Sequence, residues 1–317
     1  MALARSLYST QFLKLYLNES LSGTNGTGTP IPATNTSHAD YGSNLINGLP
    51  VQSASIERTV PTENILVLGK LGSLGRQQKE IETVKMDVKL FWASGEIISG
   101  NISPNSEMRL SASNLQTLTG NALQGKRSII AVEPNGFTGY GILTNFAIDA
   151  AAGDFLTASM SFAGFGKPFI TTGTNDAAVE SDYAPKSIFV YTSENVSLAG
   201  LSGTNETIKT AKFSIDLPNE RLSRIGGHLT GYQDNPALTG DHLLVAKPPF
   251  KVTVSYDGEF VTGAHSLDAL TFGHIKFTPV SANITSQNYS QKAGDVGASM
   301  SFSSEGTSCS ITDYHAQ

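Results

Sequence analysis

The residues from Gly120 to Lys126 have the spacing of a phosphate-binding loop, with Gly120, Gly125 and Lys126 at its key positions. In such a loop the glycines let backbone N–H groups close around a phosphate, and the lysine balances its charge. The next residue is Arg127, where a magnesium-holding loop needs Ser or Thr, and a short helix rather than a strand is expected ahead of it. Spacing alone therefore assigns no nucleotide chemistry. Two further glycine runs, Gly69, Gly72, Gly75 and Gly23, Gly26, Gly28, lack the strand-loop-helix order that a dinucleotide turn serves, and they read as loops.

The six histidines, His38, His228, His242, His265, His274 and His315, include no His-x-x-x-His pair that could hold zinc from one helix face. As lone histidines in loops they are expected to be solvated. No Gly-x-Ser-x-Gly elbow is present. A Ser-His-Asp triad assembled from distant parts of the chain stays open at the level of sequence. The one cysteine, Cys309, excludes an intramolecular disulfide framework and an all-Cys metal site, and it reads as a small side chain rather than a reactive thiol. Nothing here demands an enzyme, and no catalytic residue, metal or cofactor is expected.

The elements that would carry any site are those of a turn-rich β protein. Of 317 residues only 15% are charged, and Gly, Ser, Thr and Asn abound, with no apolar run long enough to cross a bilayer as a helix. A net charge of −6 argues against a dedicated nucleic-acid binder, which carries a basic face. The first residues, Met1 to Leu17, are interrupted by Ser9, Thr10, Gln11 and Lys14 where an export signal needs an unbroken apolar core. Eight Asn-x-Ser/Thr triplets, starting at Asn18, Asn25, Asn35, Asn101, Asn195, Asn205, Asn283 and Asn288, would suit a secreted glycoprotein, but a chain this rich in Asn, Ser and Thr also forms them by composition.

An internal repeat organises the chain. Ala158-Ser159-Met160-Ser161-Phe162 recurs as Ala298-Ser299-Met300-Ser301-Phe302, and Ala152-Gly153-Asp154 and Ala293-Gly294-Asp295 precede the two copies. Weaker echoes keep the same order: Ser55-Ile56-Glu57 with Ser214-Ile215-Asp216, Val88 to Trp92 with Val252 to Tyr256, and Gly95 to Gly100 with Gly258 to Gly263. Leu115 and Leu118 match Leu267 and Leu270. A tandem duplication follows, with domains at 1–165 and 187–317 joined by an aperiodic linker, 166–186.

Alternation gives the strands. Val84, Met86, Val88, Leu90 and Trp92 share an apolar face against Lys85, Asp87, Lys89 and Phe91, and Ala54, Ile56 and Arg58 oppose Ser53, Ser55 and Glu57. In the first Ala-Ser-Met-Ser-Phe copy, Ala158, Met160 and Phe162 are expected to point inward. Trp92 and Tyr256, at matching positions, are expected in the core. Two long polar arms interrupt this pattern, Thr59 to Thr83 and Pro218 to Pro249. Ser22 to Leu49 is expected to be an exposed loop insertion, replaced in the second copy by the short span Leu198 to Thr207. Ser111 to Thr119 and His265 to Thr271 are expected to form one short helix per copy, capped by Ser113 and Ser266.

The order strand, arm, alternating return strand, short helix and late Ala-Ser-Met-Ser-Phe strand, present twice, resembles the tail tube proteins of tailed bacteriophages, in the variant with two tube domains in one chain. The resemblance covers nearly the whole chain apart from the linker and the 22–49 insertion, and its motifs are topological. It implies a mainly β fold with one short helix per copy, two tandem tube-like β-sandwich or partial-barrel domains that close into a ring β-barrel on oligomerisation. It implies further that stacked trimers, pseudo-hexamers, form a non-enzymatic conduit for viral DNA ejection, in the virion tail, assembled in the host cytoplasm without a membrane. Partners would be other copies of the chain, tail proteins such as tape measure, terminator and baseplate, and DNA that passes without specific binding.

On that reading Ser53, Ser55, Glu57, Asp87, Lys89, Ser159, Ser161, Ser214, Asp216, Thr253, Ser255, Ser299 and Ser301 line the lumen. The arms, with Gly69, Lys70, Gly72, Gly75, Arg76, Arg221, Arg224 and Gly226, make contacts between rings. Competing readings are another tail ring component, baseplate or terminator, a secreted β-sandwich surface glycoprotein, and a hydrolase with an unrecognised triad.

Overall fold

The computed structural model describes residues 6–9, 12–16, 45–60, 62–66, 73–78, 83–98, 101–103, 109–123, 128–133, 137–165, 186–201, 208–217, 219–221, 244–246, 251–259, 265–280, 283–290, 299–306 and 308–314. They form a mainly β protein. The strands are β1 (Ser6–Ser9), β2 (Phe12–Tyr16), β3 (Leu45–Thr59), β4 (Thr62–Leu66), β5 (Ser73–Gln78), β6 (Thr83–Phe91), β7 (Ala93–Ile98), β8 (Asn101–Ser103), β9 (Ser128–Glu133), β10 (Thr138–Ala151) and β11 (Thr157–Phe165). They continue as β12 (Lys186–Val190), β13 (Val196–Leu201), β14 (Ile208–Asp216), β15 (Asn219–Arg221), β16 (Leu244–Ala246), β17 (Lys251–Glu259), β18 (His265–Phe272), β19 (Ile275–Val280), β20 (Asn283–Ser290), β21 (Ser299–Gly306) and β22 (Ser308–Asp313). One α-helix, α1 (Ala112–Leu123), stands among the described residues. No helix among them is long and apolar enough to cross a membrane.

A run of eight strands, in the order β3-β6-β11-β10-β14-β17-β21-β20, dominates the fold, and every neighbouring pair in it is antiparallel. The alternation of β6 explains its place: Val84, Met86, Val88 and Leu90 are buried, while Lys85 and Lys89 are exposed. β3 and β10 are long because each serves two sets of partners. Leu45 to Pro50 pairs with β2 and Val51 to Thr59 with β6, while Thr138 to Gly141 pairs with β9 and the rest of β10 with β11 and β14. These two strands lead from the long run into a back layer containing β2 and β9. A four-stranded sheet, β13-β18-β19-β22, and another, β1-β12-β7-β8, complete the large sheets.

One apolar cluster runs from Leu13 to Ile311 and takes residues from both halves of the chain. Phe213 stacks on Phe277 at 3.9 Å, Phe277 lies 6.5 Å from Phe146, and Trp92 lies 6.3 Å from Phe146. Burying each such ring contributes about 1.5–3 kcal/mol. The Trp92 indole N–H donates to the carbonyl of Phe272 at 3.1 Å, and its ring stacks on His274 at 5.4 Å. His274, 4% exposed, also bonds through Nε2 to the carbonyl oxygen of Leu110 at 2.9 Å. The expectation of solvated histidines fails here because the β18–β19 turn carries His274 between Trp92 and Tyr191.

The helix expected in the second copy does not form. His265 to Phe272 is strand β18, paired with β13 on one side and β19 on the other. Seven residues are too few to sustain a helix on their own, so partners on both edges decide the conformation. The Leu267 and Leu270 spacing fits either structure. The hairpin depends on Gly273, whose φ of 57° lies in the left-handed region and whose missing Cβ would come within 2.5 Å of the Tyr191 ring.

Three boundaries also move. Leu45 to Leu49 belongs to β3 rather than to the expected loop, held by pairing with β2. Leu198 to Leu201 belongs to β13 rather than to a loop. The cap of α1 is Ser111, whose Oγ accepts the Asn114 N–H at 3.2 Å, rather than Ser113. The carboxylate of Asp313 on β22 accepts from the Ala112 N–H at 3.4 Å and pairs with Arg109 at 3.3 Å, which places negative charge at the helix N-terminus. Residues 22–44, and 166–185 of the expected linker, lie outside the described residues; Lys186 opens β12.

Gly273→Ala is expected to lower the unfolding free energy by about 1–3 kcal/mol, because the alanine would be strained at this φ and would press on the Tyr191 ring. Urea denaturation of the variant beside the parent protein measures it, and an unchanged midpoint would contradict this account of the hairpin.

Candidate functional site: the polar face of the long sheet

The polar residues expected to share a face are brought together by register. Ser53 pairs with Lys89, Lys89 with Ser159, Ser159 with Ala147, and Ala147 with Ser214. One row along, Ser55, Asp87, Ser161, Asn145 and Asp216 stand side by side on five strands. A third row joins Thr157, Asp149 and Lys212. Because directly opposed residues of antiparallel strands point the same way, the rows make one surface. Ser53, Ser55, Asp87, Lys89, Ser159 and Ser161 surround a shallow depression of ≈ 190 Å³.

The rows continue past β14. Thr253 is the register partner of Ser214, Lys251 of Asp216 and Ser255 of Lys212. On β21, Ser303 stands opposite Ser255, Ser301 opposite Asp257 and Ser299 opposite Glu259. Ser286, Asn288 and Ser290 of the outermost strand, β20, are exposed and stand opposite Ser303, Ser301 and Ser299.

Charges on this face have polar or oppositely charged partners, along β6 at Lys85–Asp87 and across strands elsewhere. Ser161 donates to Asp87 at 2.6 Å, Lys85 reaches the other oxygen of Asp87 at 3.0 Å, and Lys212 reaches Asp149 at 3.3 Å. Asn145 donates to Asp216. The hydrogen bond and charge of Asp87, with Glu57 adding less, raise the Lys85 amine above its ordinary value. Solvent screens such exposed pairs, so they add little to stability. Their larger effect is to set a lysine beside a carboxylate at Lys85–Asp87 and at Lys212–Asp149.

Ser214 differs from its expected setting: it is 8% exposed, although it shares the strand period of Lys212 and Asp216. Its neighbours explain this. Ser214 and Ala147 are small, and the longer Asn145–Asp216 and Asp149–Lys212 pairs on either side close over them. Sequence reading missed Asn145, Asp149 and Lys212 as members of this face. Ala147, small and on the polar side, hid the alternation of Asn145 and Asp149.

The other chemical candidates resolve differently. Gly120 to Leu123 is the last turn of α1, whereas a phosphate loop opens a helix; Gly125 and Lys126 lie outside the described residues. Among the described residues no three of His, Cys, Asp and Glu gather to hold a metal ion. The Cys309 thiol bonds to the Ser310 carbonyl at 3.4 Å, and burial pushes its pKa up to about 12, against a smaller opposing backbone hydrogen bond from Thr278. Burial of the Tyr191 ring likewise raises its phenol, opposed by a hydrogen bond with Ser94.

Each arm has a two-stranded ribbon of its own, β4 with β5 and β15 with β16. Gly75 and Arg76 lie on β5 and Arg221 on β15, while Gly69, Lys70, Gly72, Arg224 and Gly226 lie outside the described residues.

At pH 8 a maleimide should label Cys309 on the order of a thousandfold more slowly in the native protein than in urea, since the folded thiol stays protonated. The same upward shift means that stability present below the ordinary thiol value, about 8.5, is lost as pH rises from there through about 12. Equal labelling rates in buffer and urea would contradict the buried setting. No protein-family model matches the chain, and no curated protein matches it.

Proposed function

We propose that this chain is the ring-forming subunit of a tail tube, similar in kind to the tail tube proteins of tailed bacteriophages, with three chains closing one ring. The observation that carries this reading is the continuous antiparallel run of eight strands with one polar face. Its two ends are the Val51 to Thr59 edge of β3 and the outer edge of β20, neither paired to another strand among the described residues. An even number of alternating strands leaves the two edges running in opposite directions. The β20 edge of one chain can therefore pair with the β3 edge of the next in the antiparallel sense used throughout the sheet. Repeating that head-to-tail contact closes a ring and leaves no edge exposed.

The strand order supports a tandem duplication. The first half reads β3-β6-β11-β10 and the second β14-β17-β21-β20, with an arm ribbon between the first two strands of each set. The back layers correspond as well, β2-β9-β10 in the first half and β13-β18-β19 in the second. The repeated Ala-Ser-Met-Ser-Phe strands, β11 and β21, occupy the same place. Three chains of two equivalent units give a ring of pseudo-sixfold symmetry.

The polar face then lines the lumen. Its lysines set beside carboxylates suit a conduit, because a wall of lysines alone would neutralise many phosphates and hold the DNA in place. The remaining partners follow from this role: a tape measure inside the tube, and terminator and baseplate proteins at its ends, in a virion tail assembled in the host cytoplasm.

Electron microscopy of the purified protein, with symmetry taken from end-on views, tests the reading. Stacked rings of three chains around an open centre are expected. Monomers, or closed particles that never stack, would remove it, and rings that stop at one or two layers would point to a terminator or baseplate ring instead. Deleting residues 69–75, the tip of the first arm, is expected to leave soluble trimers that do not lengthen into tubes. Normal tubes from that variant would remove the arm from the stacking contact.

A further inference from the structure

The two halves of the long sheet correspond in one register, marked by β-bulges. In β3 the ladder slips at Gln52, between Val51 and Ser53, and in β14 at Lys209, between Ile208 and Thr210. In β10 it slips at Thr144, between Leu143 and Asn145, and in β20 at Thr285, between Ile284 and Ser286. Rows from the residue after the first bulge run Ser53-Lys89-Ser159-Ala147 and Thr210-Asp257-Ser301-Asn288, and each ends three residues past the second bulge. Thr59 and Asp216, where the arms leave, each lie seven residues past their bulge. The repeated Ala-Gly-Asp begins eight residues past Thr144 in one half and past Thr285 in the other. Bulges are placed features of a sheet, so β3 is the counterpart of β14, and β20 of β10.

The internal seam joins two such counterparts. β10 meets β14 as Asn145–Asp216, Ala147–Ser214 and Asp149–Lys212, and the Leu217 N–H carries the ladder on to the Thr144 carbonyl at 2.8 Å. On β14 the inner side is closed: Ala211 is 2%, Phe213 0% and Leu217 1% exposed. Their counterparts on β3 lack that cover. Ala54 and Ile56 are only half-buried, and Val60, the counterpart of Leu217, is 39% exposed. The strand that covers these positions in the second half has no equivalent on the β3 edge among the described residues.

The seam also sets a stagger. A row begun at Ser55 passes Asp87, Ser161 and Asn145 and reaches Asp216, four residues beyond Lys212, the counterpart of Ser55. The sheet thus advances one residue per strand, the ratio of an eight-stranded barrel of shear 8, whose strands tilt by about 36°. A contact between chains in the same register keeps that tilt all the way round a ring. The sequence echo of Ser55 to Glu57 with Ser214 to Asp216 would shift the register by two residues. It sets the β3 bulge against Ala211 rather than Lys209, and Thr59 against Pro218, beyond the end of β14. Its smaller stagger also lowers the mean tilt below the roughly 35–45° of closed barrels.

We propose that β20 of one chain pairs with β3 of a second copy of this chain in the register of the β10–β14 seam, with Ser286 opposite Thr59, Asn288 opposite Glu57 and Ser290 opposite Ser55. All six residues are exposed in the single chain. Hydroxyls meet at two of the pairs, and at the third the Asn288 amide donates to the Glu57 carboxylate, as Asn145 donates to Asp216 in the internal seam. No like charges stand opposite one another in this register. Val60 is then covered as Leu217 is. The inference deepens the tube reading, on which it rests for the ring, by naming the residue pairs that close it.

Disulfide trapping tests it in assembled full-length protein with Cys309→Ser as background. Directly opposed residues have Cα atoms about 4.5–5.5 Å apart, within reach of a disulfide, whereas diagonal neighbours at about 7–8 Å are not. Under oxidised glutathione, Glu57→Cys with Asn288→Cys is expected to give covalent dimers and trimers on the order of tenfold faster than Asn288→Cys with Ser55→Cys or with Thr59→Cys. β3 and β20 stand at opposite ends of the run, so these bonds join different chains. Faster trapping with Ser55→Cys or Thr59→Cys would overturn the register and leave the tube reading standing, as would rings in which all three pairs stay reduced. A parent protein that forms no rings removes both readings. As a second measurement, Val60→Asp is expected to give soluble monomers with the circular dichroism of the parent chain and to lose the rings. Rings in normal yield from Val60→Asp would overturn the proposal.

Discussion

The structure depends on one seam of backbone hydrogen bonds, the pairing of β10 with β14 from Asn145–Asp216 to Ala151–Thr210. Without it the chain would expose two additional long strand edges, each a template for pairing with the wrong partner. With it, the two halves share one sheet, one polar face and one apolar cluster. The side chains at the seam follow from this. Phe146, Ile148, Phe213 and Ile215 are buried on the inner side, while Asn145–Asp216 and Asp149–Lys212 bridge the outer side. An aromatic group from both halves, Trp92, Phe146, Phe213, Phe272 and Phe277, then fills the space behind it.

Strands with one wet face were legible from the sequence because burial there follows a period of two. Val84 to Leu90 and Ala158 to Phe162 alternate as read, and the repeated pentapeptide marks two strands in equivalent places in the sheet order. Where both faces are covered the period disappears. Ala269 to Phe272 is buried at every residue, so the leucine spacing of His265 to Thr271 resembled a helix when β18 is a strand paired on both edges. The full length of β3 was hidden for a related reason, since Leu45 to Pro50 owes its conformation to β2, far away in sequence.

The polar face shows the same division. Serines and charges that alternate with large apolar residues, as in β3, β6 and β11, announced their side. Ala147 and Ser214 did not, since exposure of a small side chain is set by the reach of its neighbours rather than by its own polarity. His274 marks another limit: imidazole is common in loops, and only the arrival of Trp92, Tyr191 and the Leu110 carbonyl from three distant segments makes its site a buried one. Pairwise chemistry between remote segments leaves no periodic trace in a sequence.

The cap on α1 has a consequence for how the chain reaches its native state. The carboxylate that receives the Ala112 N–H belongs to Asp313, 201 residues further on, and the Gln116 side chain donates to the Ile311 carbonyl of the same strand. As the chain is synthesised, the helix emerges long before the strand that caps and covers it. Until then it is a short helix of marginal stability without its cap. Closure of the fold is therefore a late event of high sequence separation, the kind of contact that slows folding. Until β22 is in place on β19, α1 lacks both the carboxylate at its N-terminus and the carbonyl that Gln116 bonds.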